Sequence, residues 1–107
     1  MHASLPQPVS AYISPLDYPA SALPLRSEGR VDFTLEVDSK GRVSACTIRK
    51  SSGSAILDAA TCRILRRRLK FNPARSASGE AQPDVIETSI EWHLPPPDLL
   101  RRLQDGG

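Results

Sequence analysis

Aromatic side chains are scarce: one tryptophan, two tyrosines and two phenylalanines, 5% of a 107-residue chain. With a formal net charge of only +2, so thin a set argues against nucleic-acid binding, which draws on a strong basic field and stacking surfaces. Cysteine is limited to Cys46 and Cys62, and histidine to His2 and His93. Two cysteines make half a zinc site, and the histidines fall in an end segment and near the end of a strand, so no metal ligand set and no cofactor is assigned. No apolar run approaches the roughly 18 residues of a membrane span, and the first twenty positions lack the basic start and apolar core of a secretory signal. A catalytic constellation is missing too. Ser51, Ser52 and Ser54 have no histidine close in sequence, and the Ser-Ser-Gly turn is better explained as the entry to a helix.

Proline is the residue in excess, ten against six glycines, and it gathers at the two ends. The folded part therefore runs from about Tyr18 to Leu94, one modest domain. Residues 1–17 form a flexible, proline-containing lead in which only Tyr12 and Ile13 offer much to bury. Residues 95–107 form a proline-rich exit, with a short amphipathic helix through Leu99, Leu100 and Leu103. Ala20 to Arg26 reads as a helical turn limited by Pro24.

The most strongly marked stretch is Lys50 to Ala74. Ser54 sits at a helix N-cap, Asp58 falls in the first turn where the helix dipole favours a carboxylate, and Asn72-Pro73 closes the segment. Leu57, Thr61, Ile64, Leu65 and the stem of Arg68 recur at helical spacing, which predicts a one-sided helix. Arg63, Arg66 and Arg67 lie off that stripe and read as a solvated face.

On either side the period is two. Val31, Phe33, Leu35 and Val37 alternate with Asp32, Thr34 and Glu36, and Asp38 to Gly41 makes a turn into a second strand from Arg42 to Lys50. Val43 is out of step with Cys46 and Ile48, so a bulge is expected near Ser44 and Ala45. Ser76 to Pro83 reads as an exposed loop. Asp84 to Leu94 alternates again, with Ile86, Thr88, Ile90 and Trp92 on one side. The fold class is α+β: a two-layer arrangement of a three-stranded antiparallel sheet with one long helix on one face, plus short helical turns at the ends. Such a sheet has two edges, and a bare edge is either hidden or used to dock another extended chain.

Tyr18-Pro19, Gly29-Arg30-Val31, Asp38 to Val43 (DSKGRV), Ser51-Ser52-Gly53, Leu57-Asp58 and Phe71-Asn72-Pro73-Ala74, in this order and spacing, resemble the C-terminal domain of TonB-type energy transducers. The resemblance covers about three quarters of the chain. It implies a periplasmic, non-enzymatic domain through which inner-membrane proton-driven motor proteins act on outer-membrane receptors that import siderophores and other nutrients. In that family a receptor segment, the TonB box, pairs with the last strand of the domain. Here that rail is Val85, Ile86, Glu87, Thr88, Ser89, Ile90, Glu91 and Trp92. The residues ahead of the Tyr-Pro pair, often glutamines in the family, also touch the box; here they are Pro15, Leu16 and Asp17. Trp92 is read either as an interface anchor or as packing under the helix.

The proline-containing lead suggests a domain cut from a longer protein anchored in the inner membrane by an N-terminal segment; a stand-alone relative that binds without pulling is the alternative. A homodimer through the same sheet edge is a second functional reading, and weak nucleic-acid binding through Arg63, Arg66, Arg67 and Arg68 a third, disfavoured by the composition. In an oxidising periplasm, Cys46 on the inner face of the second strand and Cys62 on the covering helix are expected to form a disulfide, with two buried thiols as the alternative.

Overall fold

The computed structural model describes residues 1–105. The alternation between Gly29 and Val37 becomes burial. Val31, Phe33, Leu35 and Val37 are at most 1% exposed, whereas Asp32, Thr34 and Glu36 lie on the other face. This strand, β1 (Gly29–Val37), turns through Asp38 into β2 (Val43–Lys50) and pairs with it antiparallel. The Asp38 carboxylate accepts the amides of Lys40 and Arg42, both at 2.9 Å, which closes the turn in the way a short acidic side chain can. Gly41 is required there. It has φ +84°, and a Cβ would stand 2.0 Å from the Phe71 carbonyl oxygen.

The bulge falls where the parity break predicts it. Glu36 faces Ala45 and Val37 faces Val43, which leaves Ser44 as the extra residue. A second irregularity at Arg49, between the pairs Asp32 with Lys50 and Phe33 with Ile48, adds twist at the other end.

The helix α1 (Ala55–Arg68) begins as its caps dictate. Ser54 Oγ accepts the Leu57 amide at 3.2 Å, and the Asp58 carboxylate accepts the Ser51 and Ser52 hydroxyls and the Ser52 amide. Burial pushes the Asp58 carboxyl up, but these hydrogen bonds outweigh it and hold the group below its ordinary range. The serine hydroxyls are thus committed to the helix entry. Leu57, Ala60, Thr61, Ile64 and Leu65 form the buried face of α1. After it Leu69, Phe71 and Ala74 are buried in turn as the chain leaves.

Ser76 to Pro83 is largely exposed as expected, but it is not all loop: it holds the turn and second strand of a small hairpin, β3 (Ala74–Arg75) with β4 (Ala81–Gln82), closed by the Ser76 amide on the Glu80 carbonyl at 2.9 Å. Two-residue strands of small and polar side chains are too short to leave an alternation in the sequence. β5 (Asp84–Trp92) then pairs antiparallel with β1 along its whole length, from Val37 with Asp84 to Gly29 with Trp92. The sheet order is β2-β1-β5, with α1 across one face. α2 (Pro97–Asp105) follows the proline run, and the side chains of Leu100 and Leu103 lie outside the described residues.

The ends depart most from expectation. The turn at Ala20–Leu25 is a 3-10 helix that runs through Pro24, which a tighter helix with few internal bonds tolerates, and it stops at Arg26 in the left-handed region, φ 48°. The lead, read from the sequence as extended and loosely held, contains two 3-10 helices, Val9–Tyr12 and Pro15–Asp17, and backbone ties to the rest of the domain. The Ser4 amide donates to the Asn72 carbonyl at 3.0 Å, the Ser4 carbonyl accepts the Asn72 amide at 2.8 Å, and Ala3 is buried.

Two links cross the layers. The Trp92 indole N–H donates to Thr61 Oγ1 at 2.9 Å, while the Thr61 hydroxyl donates to the Leu57 carbonyl at 2.8 Å. Tyr18 meets the Trp92 ring edge to face, centroids 6.2 Å apart, and its hydroxyl donates to the Ser27 carbonyl at 2.7 Å. Cys46, opposite Leu35 in register, is bonded to Cys62 of α1 with 5.6 Å between their Cα atoms.

Replacing Thr61 by valine keeps the shape and removes the acceptor, so a buried indole N–H loses its partner. We expect a loss of about 1–3 kcal/mol in urea unfolding followed by tryptophan fluorescence; an unchanged midpoint contradicts this role for Thr61.

Candidate functional site

Every strand needs partners for its N–H and C=O groups on both sides, and β5 has a backbone partner on one side only among the described residues. In an antiparallel pair every second residue turns both groups away from its neighbour. Val85 is one of these: its amide donates to the Asp84 carboxylate at 2.8 Å, and its register partner Glu36 offers its carbonyl on the β2 side, to Ser44 Oγ at 3.1 Å. By parity Glu87, Ser89 and Glu91 turn the same way. The free edge is therefore a row of alternate backbone groups along Val85 to Glu91.

The side chains of this edge divide between two faces. Ile90 and Trp92 are 4% and 3% exposed under α1, with Ile86 and Thr88 half-buried beside them. Trp92 is thus packing under the helix, held by Thr61 and Tyr18. On the other face Val85 is 57% exposed, Ser89 is half-buried, and Glu87 and Glu91 are exposed. Glu87 stands 3.8 Å from Arg49, and Glu91 lies 3.4 Å from His93 and opposite Arg30 in register.

Two clefts flank the edge. One of about 280 Å³ lies at its start, among Glu36, Val37, Asp38, Ser44, Pro83, Asp84 and Val85. The other, about 370 Å³, lies at its end, where Glu91, Trp92, His93 and Leu94 face Ile13, Ser14 and Pro15. Of the three lead residues singled out from the resemblance, Pro15 lines this second cleft. Leu16 is 62% exposed, and Asp17 turns to α1. Both Asp17 carboxylate oxygens accept from the Arg68 guanidinium at 2.7 Å, and Oδ2 also accepts the Ser14 amide at 2.8 Å. The Arg68 hydrogen bonds hold the Asp17 carboxyl below its ordinary range against the opposing effect of burial. Arg68 is thereby engaged, which separates it from the other arginines of α1.

Sequence reasoning missed Asp84. Its carboxylate collects the Ala3 amide at 2.8 Å, the Val85 amide and His2 Nδ1 at 3.2 Å, tying the lead to the first residue of β5. The Ala3 and Val85 amides hold its carboxyl below the ordinary range. Only a carboxylate before an apolar alternation signals this, and such residues are common at strand starts.

An α+β domain of two layers with its last strand at a sheet edge, free of a backbone partner among the described residues, has the build of domains that take up extended chains. The chain matches, over residues 14–94, the family described as the Gram-negative bacterial TonB protein C-terminal, and it belongs to that family. That is a family of periplasmic interaction domains that work in energy transduction and meet outer-membrane receptors. No curated protein is similar enough to add a named relative. No helix among the described residues is long and apolar enough to cross a membrane.

The Asp17–Arg68 pair sets a pH dependence with a definite sign. A carboxyl whose folded-state value is depressed stabilises the fold above its unfolded value, near pH 4, and that contribution is lost as pH falls through the folded value. Asp17→Asn is expected to lower the thermal midpoint at neutral pH, and the gap to wild type should close as the pH drops below about 4. A gap that persists unchanged to about pH 2 would contradict the pairing.

Proposed function

We propose that this domain takes up the TonB box of an outer-membrane receptor as a fourth strand on β5, so that energy transduction at the inner membrane supports import of siderophores or other nutrients. One observation carries the reading: β5 lies at the sheet edge with its alternate backbone groups unpaired by any other backbone group among the described residues. Main-chain hydrogen bonds along Val85 to Glu91 supply affinity without demanding a particular sequence. The two faces supply selectivity, one through the half-buried Ile86 and Thr88, the other through Val85, Glu87, Ser89 and Glu91. Pro15, at the wall of the cleft beyond Glu91, meets whatever part of the partner extends past the strand. A pull from the membrane side enters through the lead, which is tied to α1 by Asp17 and to β5 by Asp84.

The bond between Cys46 and Cys62 suits an oxidising periplasm. It fastens β2 to α1 on the side of the sheet away from β5, so it stabilises the platform without entering the docking edge. Closing a loop of this size is worth about 3 kcal/mol in the chain-entropy account. Protein isolated without reductant should present no titratable thiol until it is reduced, and reduction should lower the unfolding free energy by about that amount; free thiols in the native protein contradict the assignment.

Ser89→Pro tests the edge with little disturbance of the ladder to β1, because the amide it removes is one that turns outward. Folding is checked by circular dichroism, and titration calorimetry with a TonB-box peptide is expected to show binding weakened about tenfold or more, the loss of one to two backbone hydrogen bonds. Undiminished binding by a folded Ser89→Pro protein removes β5 as the docking strand.

A further inference from the structure

The lead runs the full length of β5 without pairing with it. It is fixed at the start of the strand by the Ala3 amide on Asp84 and at the far end by Ile13 to Pro15 facing Glu91 to Leu94, and Val9–Tyr12 packs against β5 between them. Leu5, Val9, Tyr12 and Ile13 are half-buried against the core. No backbone hydrogen bond joins residues 5–15 to the strand. Pro6 and Pro8 explain part of this, since they have no N–H to offer and cannot sustain a ladder.

We propose that Leu5–Ile13 is a displaceable internal occupant of the ground beside β5, which a docking chain must move aside; the inference rests on the strand-addition reading above. A strand added to β5 lies about 4.8 Å from it and points alternate side chains toward α1. That is the layer into which the four apolar lead residues pack, so the two segments compete for one strip of core surface. The competition is uneven by design. The segment brings apolar contact and one exposed bond, from Arg68 to the Tyr12 carbonyl, whereas an incoming chain brings apolar contact and a ladder of backbone bonds to β5. Both flanks of the segment stay fastened when it moves, by the Ser4–Asn72 pairing on one side and the Asp17–Arg68 pair on the other. The segment therefore bows outward between two fixed points, and docking is coupled to a change in the part of the chain that faces the membrane side.

The experiment uses the full chain and a fluorescein-labelled peptide spanning a receptor TonB box. Two readouts are taken: affinity by fluorescence anisotropy, and the heteronuclear NOE of the Leu5, Gln7 and Val9 to Tyr12 amides with and without peptide. The Val9→Ala/Tyr12→Ala double variant is expected to bind about threefold tighter or more, because the competent state is no longer held back by the lead. In the wild-type protein the NOE of these amides is expected to fall on binding. If the double variant does not fold, Arg68→Gln, which cuts the exposed tie to the Tyr12 carbonyl and Asp17, serves as the second variant with the same expected direction. Peptide bound with the lead amides as ordered as before, and with variant affinity unchanged or weaker, would overturn the proposal and make the lead a fixed wall while leaving strand addition standing. Absence of binding by every protein would overturn strand addition and this inference together.

Discussion

A peptide group buried or half-buried in a sheet must find a partner on each side or be left to water, and the order β2-β1-β5 decides which groups are left. β1 spends both of its sides inside the molecule, one on the hairpin partner and one on β5. With β1 central, the last strand meets no fourth strand among the described residues. Apart from the Val85 amide, which Asp84 takes, its outer groups have no backbone partner from Val85 to Glu91.

The rest of the fold makes such an edge firm enough to use. A lone strand on a small sheet frays, and β5 is held at its end by three residues from three segments: Trp92 beneath α1, Thr61 taking its indole proton, and Tyr18 against its ring. Because the indole is satisfied internally, the only tryptophan serves the packing of the sheet under α1. The Cys46–Cys62 bond fixes the other side of the sheet to the same helix. Rigidity is thus placed on both flanks of β1, and the freedom to pair is confined to one line of backbone.

What the sequence disclosed and what it withheld separate along one physical division. β1, β2, β5 and α1 were legible because each buries one face against a continuous core. A period of two or of 3.6 is the direct consequence, and a break in the period at Val43 was enough to locate the Ser44 bulge. Ser54 and Asp58 marked the helix entry because capping needs particular side chains at fixed places. The lead was not legible in this way. Its order comes from single long-range ties, Ser4 with Asn72, Ala3 with Asp84 and Asp17 with Arg68, which leave no periodicity. The β3–β4 hairpin was hidden for a related reason: two residues per strand cannot alternate visibly. That the last strand spans Val85 to Trp92 could be read in advance from the alternation. The engagement of Asp17 by Arg68, and the lead lying along the strand, needed coordinates.

Amide hydrogen exchange on the free protein, read residue by residue along β5, tests the central claim most directly. Bonds to β1 protect one set of amides, and the outward set has no backbone partner, so Ile86, Thr88 and Ile90 should exchange slowly while Glu87, Ser89 and Glu91 exchange fast. Uniform slow exchange from Ile86 to Glu91 would mean that the outer side of the strand is already paired, and a domain with no free edge could not accept a visiting chain there.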